Sequence, residues 1–144
     1  MGYTTQQTKL LVGLGVSSIS DIGVAYAQNE KTIHDYYAIL QKGQLPVMRG
    51  FFLNQEDIAF KKYILDISCN GKTFFKKEDL PMLNQYVFTE LNKLEEDKLV
   101  LWNQRGLQLT ELGNHFVRNV CRAFDLHLLR TQREVAGPTF SRAI

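Results

Sequence analysis

The sequence predicts an α+β fold in two parts, and three observations support this prediction. A continuous apolar run at residues 10–16 is typical of a strand that is buried on both faces. Glycine and proline then interrupt the pattern at residues 43–50. The sequence beyond this break alternates between helical apolar spacing and short β-like segments. We therefore divide the chain into residues 1–50 and residues 51–144.

Composition limits the classes of protein to consider. The chain has 144 residues, of which 44% are hydrophobic and 22% are charged, so it can bury a core. Its net charge of +2 is too small to indicate a nucleic-acid partner. No apolar run approaches the length of a membrane span and no secretory signal is present, so we expect a cytoplasmic protein without a membrane partner.

The cysteines and histidines predict no metal site. Cys69 and Cys121 are too far apart for a C-x-x-C pair, and we expect two reduced, buried thiols. The three histidines have no ligand spacing to each other or to a cysteine.

The first part of the chain contains one predicted strand and one predicted helix. Residues 31–42 form the helix, with Ile33, Tyr37 and Leu40 on one face. The strand at residues 10–16 lacks partner strands, and an open strand edge favours pairing with another chain. We therefore predict self-association or docking through residues 8–18.

The second part predicts the order helix, strand, helix, hairpin, helix, which is that of a winged helix. Asn54 is a good N-cap for the first of these helices, and Pro81 suits the first turn of the second. A hairpin with Gly106 in its turn follows, and Thr110 caps one last long helix. The helix at about residues 81–97 is acidic and would be repelled by phosphate, so no nucleic-acid partner is expected.

The glycine turn after the apolar run matches no phosphate or nucleophile motif. Gly13 and Gly15 fit a dinucleotide fingerprint, but Ser18 stands at the third glycine position. A Walker loop would need Gly-Lys-Ser/Thr, and a nucleophile elbow would need glycine at Ile19. From the pattern alone, close packing at the end of a strand is the simplest interpretation.

Several stretches together resemble the C-terminal portion of oxygen-independent coproporphyrinogen III oxidases, which are radical S-adenosylmethionine (SAM) enzymes of haem biosynthesis. These stretches are GYTTQ, GLGVSSISD, AYAQN, YY at residues 36–37, LPVMRG, LEEDKLV, LTELGNHFVRNVCRAFD and FSRAI. The resemblance implies that residues 1–50 are the last strand and helix of a (β/α) barrel and that residues 51–144 form a winged-helix-like domain.

The resemblance also implies site residues. Ile19 matches the position that contacts SAM, and the surrounding turn would shape the cofactor side of the barrel mouth through Gly13, Gly15, Ser17 and Ser18. Arginine forks are good partners for the propionates of coproporphyrinogen III, and Arg49 and Arg142 lie in matching segments. We expect one of these two arginines to contact a propionate.

The family's three-cysteine motif for a [4Fe–4S] cluster is missing from this sequence. The parent enzyme would use this cluster and SAM to convert coproporphyrinogen III to protoporphyrinogen IX. The chain itself is predicted to be a fragment or domain that contains no catalytic residue, binds neither cofactor and is inactive alone. A haem-chaperone relative and a free-standing winged-helix interaction module are the alternatives, and sequence upstream of this chain would distinguish them.

Overall fold

The computed structural model describes residues 10–134, which divide into two compact units between Ile58 and Ala59. We call residues 10–58 the first unit and residues 59–134 the second unit. Each unit combines helices with one small antiparallel sheet, so the predicted α+β class is confirmed. None of the helices in the described range is both long and apolar enough to span a membrane.

The first unit is a three-stranded antiparallel sheet with one helix. Its elements are β1 (Ile19–Asp21), β2 (Ala25–Asn29), α1 (Ile33–Gln41) and β3 (Val47–Phe52). The strand order is β1-β2-β3, so β2 lies in the centre. The predicted helix is confirmed as α1, but its Ile33, Tyr37 and Leu40 side chains are exposed.

The predicted buried strand at residues 10–16 is wrong. Only Leu11 pairs with a neighbour, through an isolated bridge to Asp21, and the Leu14 side chain is 83% exposed. The backbone turns because φ is +95° at Gly15 and +59° at Ser17, in the left-handed region that ends an extended segment. The apolar run therefore leads into a turn, and the sheet of this unit is built from later residues.

The second unit contains most of the helices and a second three-stranded sheet. It comprises most of α2 (Gln55–Asn70), then β4 (Lys72–Phe74), α3 (Leu80–Tyr86), α4 (Phe88–Glu96), β5 (Val100–Asn103), β6 (Gly106–Leu109), α5 (Glu111–His115), α6 (Val117–Arg122) and α7 (Leu126–Glu134). The sheet order is β4-β6-β5, and both strand pairs are antiparallel.

Both predicted helix caps are confirmed. Asn54 Oδ1 accepts a hydrogen bond of 2.8 Å from the Asp57 N–H at the start of α2. Thr110 Oγ1 accepts one of 2.9 Å from the Gly113 N–H at the start of α5. These bonds satisfy backbone donors that have no partner inside their helices.

Three details of the second unit differ from the sequence prediction. The single helix predicted at about residues 81–97 is two helices, α3 and α4, with Val87 between them. The last long helix is three short helices. Phe116 leaves helical geometry with φ −114° and ψ 25° between α5 and α6, and a second break at residues 123–125 separates α6 from α7. Gly106 is the first residue of β6 instead of a turn residue. A side chain at Gly106 would stand 2.3 Å from the Thr73 carbonyl oxygen, so glycine permits the close approach of β4.

The hydrophobic core of the second unit is built around aromatic rings. Tyr63 on α2 contacts the rings of Phe60, Phe75 and Phe124 at centroid distances of 5.7–6.0 Å. Its hydroxyl donates to the Asp79 carboxylate at 2.5 Å. Burial is the main cause, and this hydrogen bond the second, that raises the pKa of Tyr63 well above its usual value. The remaining core comes from Ile67, Leu83, Val87, Leu91, Leu99, Val100, Leu107, Leu109, Val120, Ala123 and Leu126.

Candidate functional site

A cavity of about 500 Å³ lies on one face of the first unit's sheet. Its lining residues come from all three strands: Ile19, Tyr26, Ala27, Gln28, Arg49, Gly50 and Phe51. We call it the sheet cavity. Cavities of this volume accommodate small ligands or parts of larger ones.

Three side chains of the sheet cavity lie in one row across the strands. Ile19 on β1 is paired with Gln28 on β2, and Gln28 is paired with Arg49 on β3. Residues in register point to the same face of a sheet, so these side chains project together. Because neighbouring strands are about 4.8 Å apart, Ile19 and Arg49 are separated by roughly 10 Å.

A second row on the same face adds two aromatic rings. Tyr26 on β2 is paired with Phe51 on β3, each two residues along from the first row. Burial, and then the negative charge of Asp21, raises the pKa of Tyr26 to about 12. The phenol is therefore neutral at physiological pH, and Arg49 is the cationic residue among those that line the cavity.

The polar contacts of Arg49 run along the first row. Its Nε donates to Gln28 Oε1 at 2.8 Å, and Gln28 Nε2 donates to the Ser17 carbonyl oxygen at 3.3 Å. The glycine turn, the central strand and the arginine are therefore joined through one glutamine side chain.

The amides of the glycine turn are used inside the protein. The Gly13 N–H donates to Ser20 Oγ at 3.0 Å, and the Gly15 N–H donates to the Tyr36 hydroxyl at 3.0 Å. The Ser17 N–H donates to the Glu30 carbonyl oxygen at 2.8 Å. The turn therefore shapes the wall behind β1 and does not present these donors to a phosphate.

Asn29 organises this turn from the end of β2. It is only 6% exposed, and its Nδ2 donates to the carbonyl oxygens of Gly13 at 3.1 Å and Gly15 at 2.9 Å. A side chain at Gly13 would stand 2.8 Å from the Ile19 carbonyl oxygen, so the turn packs directly on the backbone of Ile19. Asn29 thus fixes the backbone against which Ile19 rests.

The structure brings some of the sequence-predicted site residues together and separates others. Ile19 and Arg49 share the sheet cavity, whereas Gly13, Gly15, Ser17 and Ser18 form the turn behind it and do not line it. Arg142 lies outside the described residues.

Sequence reasoning missed Tyr26, Gln28, Asn29 and Tyr36, although all four lie in stretches that carried the resemblance. A signal for three of them was the AYAQN stretch at residues 25–29, which combines an aromatic residue with two adjacent amide side chains.

The described residues do not fit an iron–sulfur cluster. They contain no group of three or more histidine, cysteine, aspartate or glutamate side chains that could hold a metal ion. Cys69 and Cys121 are free and partly buried, as expected for reduced thiols. Burial, and then the charge of Cys69, raises the pKa of Cys121 to about 11, which opposes the thiolate form that binds metals.

Comparisons with known proteins point to one enzyme family. No protein-family model matches the chain. It is 37% identical to the oxygen-independent coproporphyrinogen III oxidase of Helicobacter pylori over 88% of its length. It is 34% and 35% identical to those of Pseudomonas aeruginosa and Escherichia coli, in each case over 99% of its length.

A solved structure agrees with these relatives. The coproporphyrinogen III oxidase (HemN) of Escherichia coli, described as a radical SAM enzyme, superposes with a TM-score of 0.71 at 32% identity over 88% of this chain. The chain spans only 29–32% of the length of the curated relatives named above and 30% of that structure. The chain is therefore homologous, over most of its length, to one segment of the oxygen-independent coproporphyrinogen III oxidases.

Proposed function

We propose that this chain is the C-terminal portion of an oxygen-independent coproporphyrinogen III oxidase. The complete enzyme would oxidatively decarboxylate two propionates of coproporphyrinogen III to vinyl groups and yield protoporphyrinogen IX in the cytoplasm. The observation that carries the proposal is the row of Ile19, Gln28 and Arg49 in the sheet cavity. This row places the apolar side chain of Ile19 and the positive charge of Arg49 on the same face of the sheet. The names of the relatives favour this function over a haem chaperone or a free-standing interaction module.

The proposal assigns residues 1–50 to the end of the catalytic barrel and residues 51–144 to a winged-helix-like domain. The exposed apolar side chains of the first unit, such as Leu14 and Phe52, support the first assignment, because a barrel segment needs the rest of the barrel to cover it. The succession of α2, β4, α3, α4 and the β5–β6 hairpin supports the second assignment.

SAM and a [4Fe–4S] cluster would both be bound by the complete enzyme, with the cluster held by cysteines that this chain does not contain. The bound cofactors would supply the radical that abstracts a substrate hydrogen atom. In this chain, Ile19 would offer an apolar contact to SAM, and the turn from Gly13 to Ser18 would hold Ile19 in place.

Arg49 would bind a propionate of the substrate while Tyr26 and Phe51 pack against its apolar body. Arg142 is the second candidate for this role. Neither arginine needs to change protonation state, so both would bind and orient the substrate instead of reacting with it.

Exchange of the matching segment in the Escherichia coli relative tests this function. We expect the enzyme that carries this chain in place of its own segment to form protoporphyrinogen IX. Arg49→Gln or Arg142→Gln should then lower kcat/KM at least tenfold, or about 1.4 kcal/mol, because a charged contact to substrate is lost. Arg118→Gln, at an exposed position on α6, is the matched control and should retain the starting kinetics.

The isolated chain provides the complementary measurement. We expect no turnover and no iron–sulfur absorbance after anaerobic reconstitution. A stoichiometric [4Fe–4S] spectrum on the isolated chain, or an inactive exchanged enzyme that binds its cofactors normally, would contradict the proposal.

A further inference from the structure

We propose that Gln28 is a positioning residue that orients Arg49 toward a carboxylate of the ligand. The inference rests on the proposed function, because it concerns the same sheet cavity.

The contacts of Gln28 define the orientation of its amide. Arginine offers only donors, and the Ser17 carbonyl oxygen offers only an acceptor. Only one orientation of the amide satisfies both neighbours, with Oε1 toward Arg49 at 2.8 Å and Nε2 toward Ser17 at 3.3 Å. The amide of Gln28 therefore acts as a directional link and not as an interchangeable polar contact.

This link determines which part of the Arg49 guanidinium can bind a ligand. Gln28 occupies the Nε donor, and the remaining donors are the two Nη groups. In the described part of the chain, no ion pair within 4.0 Å involves Arg49. Its positive charge is therefore not neutralised internally, and the paired Nη groups match the two oxygens of a carboxylate.

The surroundings of Arg49 indicate what the carboxylate is attached to. Ile19, Tyr26 and Phe51 supply apolar surface beside the guanidinium in the same cavity. A ligand that combines an apolar ring with a flexible acidic arm would satisfy both halves of the cavity. Gln28 lies between Ile19 and Arg49 in the sheet, so it couples the two halves.

Titration of the 144-residue chain with coproporphyrin III, the stable oxidised tetrapyrrole with four propionates, tests this inference. The neutral tetra-amide of the same porphyrin is the reference ligand, and absorbance or fluorescence reports binding. The quantity of interest is acid preference, which is the ratio of the two dissociation constants. A loss of folding would weaken the binding of both ligands together. Loss of a positioning role would weaken only the binding of the acid.

We expect the unsubstituted chain to prefer the acid, and Arg49→Gln to reduce this preference at least tenfold. Gln28→Leu should reduce it about three- to tenfold, as expected for one lost hydrogen bond, with little change in tetra-amide binding. Gln28→Glu should reduce it at least as much, because the new carboxylate would pair with Arg49 and repel the ligand. Gln108→Leu, at an exposed position on β6, is the matched control and should leave the dissociation constants of both ligands unchanged.

Two results would overturn the inference. If Gln28→Leu and Gln28→Glu keep the acid preference while Arg49→Gln loses it, Gln28 does not orient Arg49. If the unsubstituted chain shows no acid preference, the sheet cavity has no carboxylate subsite to orient. Neither result would contradict the proposed function, because the activity of the segment-exchanged enzyme tests that function separately.

Discussion

The two units of this chain differ in where they place their apolar side chains. In the second unit, large side chains such as Phe124 and Leu91 are completely buried. In the described part of the first unit, Ala25 and Pro46 are the buried apolar residues, while Leu14 and Phe52 are each 83% exposed. Both units have a three-stranded antiparallel sheet, so secondary structure does not explain the difference.

The difference shows that the two sheets are stabilised in different ways. The second sheet packs on helices and buries a core, which is the main source of stability for a small domain. The first sheet depends on backbone pairing and on polar contacts such as those of Asn29 and Tyr36. We infer that another part of the protein covers the exposed apolar surface of the first unit. The second unit has a buried core and can fold independently.

The largest effect that would test this comparison is the change in the free energy of unfolding when an aromatic side chain is truncated in each unit. We expect Phe124→Ala to destabilise the second unit by about 3–5 kcal/mol, because it leaves a cavity in the core. The exposed Phe52→Ala should change stability by less than about 0.5 kcal/mol.

The single tryptophan makes this measurement specific to one unit. Trp102 lies on β5 with its ring 4.8 Å from that of Phe88, so its fluorescence in urea follows the second unit. Circular dichroism reports both units. A large loss of stability with Phe52→Ala would show that the first unit also depends on a core.

The next effect concerns the polar organisation of the first unit. Asn29→Asp removes two donors and sets a carboxylate against the carbonyl oxygens of Gly13 and Gly15. We expect hydrogen exchange at the Gly15 amide to accelerate at least tenfold, or about 1.4 kcal/mol, because the turn opens more often.

Asn84→Asp is the control for this substitution, because Asn84 is exposed on α3 in the second unit. It should leave the Gly15 amide unchanged. Equal protection of Gly15 in the Asn29→Asp protein would show that backbone pairing alone holds the turn.

A smaller effect is expected on self-association. Residues 8–18 are predicted to associate with a second copy or with a neighbour. Residues 10–16 form no strand that could pair through an open edge, so the support that remains is exposed apolar surface such as that of Leu14. Leu14→Lys should raise the dissociation constant of a dimer about tenfold, since a charge would replace apolar contact area. Light scattering over a range of concentrations measures this.

The matched control is Leu112→Lys, at an exposed position on α5 of the second unit. It should leave association unchanged. A monomer at high concentration, with protected amides at residues 10–14, would contradict the prediction.

The same contrast explains how much could be predicted from the sequence. In the second unit, caps and apolar spacing describe contacts that the unit makes with itself, so Asn54, Thr110 and the hairpin were predictable. The continuous last helix was not, because the apolar positions repeat every four residues through Phe116 while its backbone turns away.

In the first unit, the apolar run at residues 10–16 indicated burial that this chain does not provide. Strand β3 was missed because it is exposed along its whole length and carries no alternating pattern. The candidate site shows the same limit. Ile19 and Arg49 could be proposed from a resemblance, but Gln28 and Asn29 act through contacts between separate strands and turns, which local spacing does not show.

The last effect that we predict is a dependence of the second unit on alkaline pH. Burial is the main cause that raises the pKa of the Cys121 thiol from 9.0 to about 11, and its Sγ lies 3.8 Å from the Ile64 carbonyl oxygen. Above pH 9, the thiol ionises more readily in the unfolded chain than in the folded one. The contribution of this thiol to stability is therefore complete below pH 9 and is lost as the pH rises toward 11.

Urea unfolding at pH 8 and at pH 10.5, followed by circular dichroism, measures this loss. Other groups also titrate in this range, so the informative quantity is the difference between the unsubstituted chain and Cys121→Ala. We expect the unsubstituted chain to lose more stability than Cys121→Ala between pH 8 and pH 10.5, because alanine has no proton to lose. Cys69→Ala tests the secondary cause, since it removes the neighbouring charge and should reduce the shift slightly. Parallel losses of stability in the unsubstituted chain and Cys121→Ala would show that the thiol reaches solvent when it ionises and that α6 is packed less tightly on α2 than the structure indicates.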